Sequence, residues 1–347
     1  MLNKDLISVI IPAYNHEMYI GETIRSLIVQ SYKNVELIIL NDGSSDNTRQ
    51  VIQEIRLECE KRFVHFKYIN KDNEGVTKTL NKGLSLASGK FIYVIASDDS
   101  AEPDALKTLH EFISKNSDYG LVVGDNYIID DYGERCFWNQ KLENVYKKSD
   151  AKFLTFGEKL KDCRKDVDFN SEEFGSYKSL LKGNYIPNGY LIRKEILDSI
   201  GGYSEAAPLE DYYMMMQISK ISKMKFIDEP LFNYRWHSSN TIKQSEKIIK
   251  FTAKTLKLEE KYTGENGFEN EFIRAVGYKK KYGIPFLFDI SKTGNAFKER
   301  VLFRILGIRV MSSIKAYDMK DQFSTKRHHM KVIKIIGIPV YKKYENI

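Results

Sequence analysis

The chain has 347 residues, 42% of them apolar and 12% aromatic, which is enough to bury one large core or two modest ones and excludes a disordered or fibrous protein. No apolar run reaches the roughly 18 to 20 residues needed to span a bilayer, and "MLNKDLISVIIPAY" carries Asp5 and Pro12 where a secretory leader needs unbroken apolar residues, so a cytoplasmic location is expected. The net charge of +7 hides an asymmetry: residues 241–347 hold 23 Lys and Arg against 11 Asp and Glu, whereas the other 240 hold 31 against 36.

Taken in order, "LISVIIPAY", "VELIILNDG", "FKYIN" and "FIYVIASDD" are short apolar runs of strand length, each ending in polar or turn-forming residues. Between them, Ile20, Ile24, Leu27 and Ile28, and then Val76, Leu80, Leu84 and Ala87, recur at helical spacing. This alternation predicts right-handed crossovers and a Rossmann-like, mostly parallel α/β sheet flanked by helices. Ligands of such sheets bind beyond the carboxyl ends of the strands. Those ends are Tyr14 and Asn15, Asn41 and Asp42, Asn73 to Gly75, and Asp98 and Asp99.

After Asp99, "SAEPDALKTLHEFISKN" predicts a helix with Ser100 near its N-cap, Pro103 in its first turn, and Leu106, Leu109 and Ile113 facing inward. Strand patterns follow in "GLVVGDNYIID" and "MKFIDEPLFNYRW", with a helix expected from Asp211 to Lys223. In the last third, "KYGIPFLF", "RILGIRVMSS" and "KIIGIPVYKK" repeat a short apolar core around Gly283, Gly307 and Gly337, as in three hairpins or apolar turns rather than a solenoid. Cys59, Cys136 and Cys163 form no framework or C-x-x-C pair and read as ordinary thiols.

The chemistry is narrowed by what the first strand end lacks. Neither G-x-G-x-x-G nor G-x-x-x-x-G-K-[ST] follows it, so a dinucleotide dehydrogenase and a P-loop enzyme are disfavoured. A diphosphate bound at such an edge needs a divalent cation. Asp98 and Asp99 suit Mg²⁺ or Mn²⁺, which take a few carboxylates and keep water and phosphate oxygens as other ligands. Each motif alone also has a plain reading: a solvated turn at Asp98 and Asp99, a turn residue at Asp42 before Gly43, a helix-start charge pair at Glu210 and Asp211.

Together and in order, "SVIIPAYN", "LNDGSSDNT", "ASDDS", "IGGYSE", "LEDYYMM" and "NYRWHSSN" resemble glycosyltransferase family 2, over roughly residues 6 to 240. The resemblance implies a GT-A domain at 1–240, with a nucleotide-sugar half (1–115) and an acceptor half (116–240), followed by a basic extension at 241–347. It implies inverting, metal-dependent transfer of one sugar from a UDP-sugar donor to a glycan or lipid-linked acceptor in cell-surface polysaccharide assembly. Pro12, Tyr14, Asn15 and Asp42 would then line the nucleotide pocket, with Asp98 near ribose and phosphate. Asp99, Asp98 and His237 would meet the metal, and Asp211 or its neighbour Glu210 would be the base. Asn81, Asn188, Gly189 and Arg235 would face donor or acceptor sugar.

The sequence departs from the family pattern at Ala96, Leu80 and Gln217, where relatives often carry Asp, Arg and Arg, and it has no Q-x-x-R-W motif, which favours single additions. The basic extension, with aromatic and aliphatic residues among its lysines, suits peripheral contact with an anionic membrane surface. No nucleic-acid motif occurs. The rival readings are a sugar nucleotidyltransferase, which wants a glycine-rich basic loop after the first strand, and a non-catalytic nucleotide- or glycan-binding module.

Overall fold

The computed structural model describes residues 5–238, 240 and 243–276 and, as backbone, 278–284, 288–294, 298–305, 308–316, 328–335 and 338–346. The chain divides into two compact units, Met1–Leu180 with Asn184–Asn240, and Leu181–Gly183 with Thr241–Ile347.

The first unit runs β1 (Ile7–Ala13), α1 (Ile20–Ile28), β2 (Val35–Asp42), α2 (Thr48–Arg62), β3 (His65–Lys71), α3 (Val76–Leu86) and β4 (Phe91–Val94). It continues through β5 (Ser100–Ala101), α4 (Ala105–Lys115), β6 (Tyr119–Ile129), β7 (Arg135–Trp138), β8 (Asn144–Val145), α5 (Phe156–Cys163), α6 (Tyr177–Leu180), β9 (Tyr190–Arg193), α7 (Lys194–Ser199), α8 (Glu210–Ser219) and β10 (Lys223–Arg235). The main sheet has the order β3-β2-β1-β4-β9-β6-β10-β5. Strands β1 to β4 pair in parallel, as do β6 and β10, while β9 and β5 run the other way. The fold is the mostly parallel α/β sheet that the alternating pattern predicts.

Burial explains these elements. β1 and β2 are covered on both faces and read as nearly continuous aliphatic runs, as parallel strands do. Ile20, Ile24 and Leu27 of α1, and Leu106, Leu109 and Ile113 of α4, are buried as the spacing requires. β1 and β4 stay paired only as far as Ile10 with Val94. Beyond that point they part, opening the crevice into which the Asp98–Asp99 segment runs.

Three expectations are corrected. Ser100 caps no helix: Ser100 and Ala101 form β5 against Asn233 and Phe232, and α4 starts at Ala105 after Asp104. Strand pairing at this point outweighs the turn chemistry of Pro103. α8 ends at Ser219, because Lys223 already opens β10. Val76 is exposed at the start of α3, although it continues the apolar spacing.

The second unit holds α9 (Ser245–Lys257), α10 (Glu260–Glu265) and α11 (Glu269–Val276), which pack on one another. It also holds β11 (Tyr278–Ile284), β12 (Phe288–Gly294), β13 (Lys298–Ile305), β14 (Ile308–Ala316), β15 (His328–Ile335) and β16 (Ile338–Asn346). These six form one antiparallel sheet in chain order. The repeated apolar cores therefore fall on three hairpins, joined edge to edge into a single sheet. Gly283 lies in β11, and Gly307 and Gly337 lie outside the described residues.

Candidate active site

The edge where β1 to β4 end is built around the segment after β4. Asp99 is buried, and its Oδ1 accepts the backbone N–H of Arg235 at 2.9 Å. The Thr23 hydroxyl of α1 donates to the backbone carbonyls of Asp99 (2.7 Å) and Ser97 (3.0 Å), fixing the turn between them. His237 sets Nε2 3.0 Å from Asp98 Oδ2 and stacks on the Tyr19 ring, with centroids 5.4 Å apart. Asn240 holds that corner by accepting the His237 N–H at 2.6 Å and donating to the Arg235 carbonyl at 3.0 Å.

Arg235 does not face a sugar, contrary to expectation. Its side chain is 0% exposed, with Nε donating to the Asp98 carbonyl (2.6 Å), Nη1 to the Asp130 carbonyl (2.9 Å) and Nη2 to Glu22 Oε2 (2.6 Å). Its guanidinium also lies over the Tyr19 ring at 4.8 Å. A planar fork with its donors spread over three elements is a rigid brace. Arg235 supports the two aspartates from below.

His16, on the β1–α1 connection, is a neighbour that sequence reasoning passes over. Its Nδ1 lies 2.7 Å from Ser97 Oγ and its Nε2 4.0 Å from Asp98 Oδ2. The histidine directly after Asn15, at a strand end already marked as part of the site, was the available signal. Burial, ahead of the opposing pull of Asp98, lowers the affinity of this imidazole for a proton.

The two carboxyls differ in charge environment. Burial alone would raise Asp98, but the His237 hydrogen bond and the nearby imidazoles outweigh it and hold it below the usual carboxylate range. Asp99 goes the other way: burial first, then repulsion by Asp98, push it well above that range despite the Arg235 N–H and the Asn188 side chain. The site is short of positive charge at Asp99. Among the described residues no three His, Cys, Asp or Glu side chains converge to hold an ion by themselves. A pair of carboxylates suits Mg²⁺ or Mn²⁺, which dehydrate reluctantly and bind through one or two carboxylates with water and phosphate rather than in all-protein cages.

On the β1–β2–β3 side, Tyr14 is 49% exposed beyond β1, and Pro12 is half-buried within it. Asn15 has φ 52° and is pinned by its N–H to Ser44 Oγ (3.0 Å) and by its Oδ1, which accepts from Ser45 N–H (2.8 Å). Asp42 receives an ion pair from Lys71 and the N–H groups of Glu74 (2.9 Å) and Gly75 (3.0 Å). Burial works against its ionisation, but these partners prevail and depress its pKa. The chain can approach so closely because Gly43 has φ +72°; a Cβ there would stand 2.6 Å from the Asn73 nitrogen. Asn81 exchanges both amide hydrogen bonds with the Tyr203 backbone (2.8 and 2.9 Å), so it shapes the 201–203 turn.

On the other side, Gly189 has φ +82°, and a Cβ would come within 2.4 Å of the Phe232 ring. This tight passage carries Asn188 to Asp99 and leads into Tyr190, the first residue of β9. β9 is antiparallel to β4, so its start lies at the carboxyl end of β4. Glu210 and Asp211 open α8, and their charges reach the buried Tyr190 and Tyr203 hydroxyls. Burial, then the Asp211 charge, push Glu210 up to about 7, and burial raises Asp211 as well. Both remain electrostatically strained, a condition typical of catalytic carboxyls.

Residues 8–169 match the family model described as "Glycosyl transferase family 2". An uncharacterized glycosyltransferase of Haemophilus influenzae is 29% identical over 286 residues, covering 82% of this chain and 82% of that protein. Among solved structures, S. aureus TarS 1-349 in complex with UDP-GlcNAc is similar at a TM-score of 0.54 and 18% identity, over 78% of this chain and 72% of that one. The mannosyltransferase PcManGT from Pyrobaculum calidifontis, in complex with GDP-Man and Mn²⁺, is similar at a TM-score of 0.53 and 12% identity, over 74% and 64%. The fold is that of GT-A glycosyltransferases. Over residues 8–169 the chain is similar to glycosyltransferase family 2.

Proposed function

We propose that this enzyme transfers one sugar from a UDP-sugar, with inversion and with Mg²⁺ or Mn²⁺, to a glycan or lipid-linked acceptor in cell-surface polysaccharide assembly. The observation that carries the reading is the Asp98–Asp99 pair: two rigidly braced carboxyls at the parallel strand ends, one of them lacking compensating charge. TarS with UDP-GlcNAc and PcManGT with Mn²⁺ support the donor class and the ion.

In this reading the exposed Tyr14 ring stacks on the base, beside Pro12 and Asn15, while Asp42 and its partners shape the pocket edge. Asp98 and Asp99, with His237 at their flank, hold the ion. When bound, the ion offsets the charge that develops on the departing diphosphate. Asn188 and Gly189 border the sugar. Asp211 takes the acceptor hydroxyl proton as the acceptor oxygen bonds the anomeric carbon from the face opposite the breaking carbon–oxygen bond; burial keeps its proton affinity high. The 23 Lys and Arg of residues 241–347 support attachment to an anionic membrane surface. No helix among the described residues is long and apolar enough to cross a membrane.

Measuring UDP release across a panel of UDP-sugars with and without chelator tests the reading. Release should require the ion and fall sharply in Asp99→Ala. Full activity under chelation would overturn the metal assignment.

A further inference from the structure

Lys159 and Cys163 stand one helical turn apart on α5, and Lys159 Nζ lies 2.8 Å from Cys163 Sγ. Sulfur is larger than oxygen, yet this separation is no longer than the ~2.9 Å of an ordinary N–H···O bond. Lys159 is only 2% exposed. Among the described residues no carboxylate lies within ion-pair distance of its nitrogen, whose other neighbour is the Phe153 ring at 5.8 Å. A lysine is almost never so buried without an anionic partner, because an uncompensated ammonium is costly in an apolar setting. Cys163 is half-buried, whereas the other two cysteines are buried.

We propose that Lys159 and Cys163 are a peroxide-responsive modification site that closes into a covalent N–O–S bridge. In the first step the thiol sulfur takes one oxygen from hydrogen peroxide: an S–O bond forms, the O–O bond breaks, sulfur gives up two electrons and water leaves. The resulting sulfenic acid sits against the Lys159 amine. In the second step an N–O bond forms as the sulfenic O–H and one amine N–H are lost, and their two electrons reduce a second peroxide to two waters. The bridge carries no charge and staples the last turn of α5. A thiol-based reductant reopens it. Cys59 and Cys136 are buried with no such amine, and burial pushes both thiols up to about 12, so they stay unreactive.

The test is intact mass and peptide mapping of the full-length protein after hydrogen peroxide, before and after dithiothreitol. The expected product is about 14 Da heavier, reverts with dithiothreitol, resists trypsin after Lys159 and leaves Cys163 unalkylated. Cys163→Ser should gain nothing, and Lys159→Arg should pass through about +16 to about +32 Da, the sulfenic and sulfinic acids. The proposal is overturned if the wild type itself proceeds to about +32 Da with Lys159 still cleaved, if it loses about 2 Da through a direct S–N bond, if Cys163 stays unmodified, or if the +14 Da product persists in Lys159→Arg.

Discussion

The two ends of the main sheet differ in how fully they compensate buried carboxyls. At the amino end Glu36, 0% exposed, accepts from Ser8, the Ser88 N–H (2.5 Å), the Ser88 hydroxyl (2.9 Å) and the Gly89 N–H (3.1 Å), with Lys67 3.7 Å away. Burial opposes its ionisation, but these donors outweigh it and depress its pKa. At the carboxyl end Asp42 and Asp98 are depressed too, but Asp99, Glu210 and Asp211 are raised by burial, with the Asp98 charge adding to it at Asp99 and the Asp211 charge at Glu210. A carboxyl whose partners are complete within the chain stabilises the fold. One whose partners are incomplete awaits a cation or a proton.

This contrast can be broken from either end. The largest effect is expected for Asp211→Asn, which removes the proposed base: kcat should fall about 1,000-fold with the thermal midpoint unchanged, by steady-state kinetics and calorimetry. Asp99→Asn should lower kcat roughly 100-fold and leave stability equal or greater, since it deletes a repelled charge. Glu36→Gln is the inverse case: kcat per folded molecule stays, while stability falls by about 2 kcal/mol, or roughly 5 °C in Tm. Because Glu36 is depressed in the folded state, its contribution is present above the ordinary glutamate range and is lost as pH falls through its lowered value.

The pH profile sharpens the same point. Glu210 and Asp211 titrate as a pair whose last proton leaves near pH 7, so activity should rise as pH increases through about 7. Glu210→Gln removes the group that titrates at about 7 and should move that limb to lower pH. The smallest effect is expected for Tyr14→Ala, with donor KM rising roughly fivefold for about 1 kcal/mol of lost stacking.

Much of this was legible in the sequence, and for a physical reason. Parallel strands buried on both faces must be aliphatic throughout, and their ends must turn polar, so β1 to β4 and the Asp98–Asp99 edge announce themselves. α2 does not, because only Thr48, Ile52, Ile55 and Cys59 are buried on a long polar helix. The brace was hidden too. Nothing local in "NYRWHSSN" tells that Arg235 turns inward to carbonyls from β4 and β6 connections, since its partners Glu22, Asp98 and Asp130 lie more than a hundred residues away. His16 was hidden similarly, meeting Ser97 only through the crossover. Short-period patterns reveal burial, whereas polar networks that close over long sequence distances leave no local trace.

The account rests on Asp98 and Asp99 presenting an incomplete cation site to a nucleoside diphosphate. Calorimetric titration of UDP into the full-length protein, with Mn²⁺ or with chelator, in wild type and Asp99→Asn, tests this directly. The prediction is that Mn²⁺ tightens UDP binding at least tenfold in the wild type and leaves Asp99→Asn unaffected, a difference of about 1.4 kcal/mol. Equal UDP affinity with and without Mn²⁺ in the wild type would contradict it.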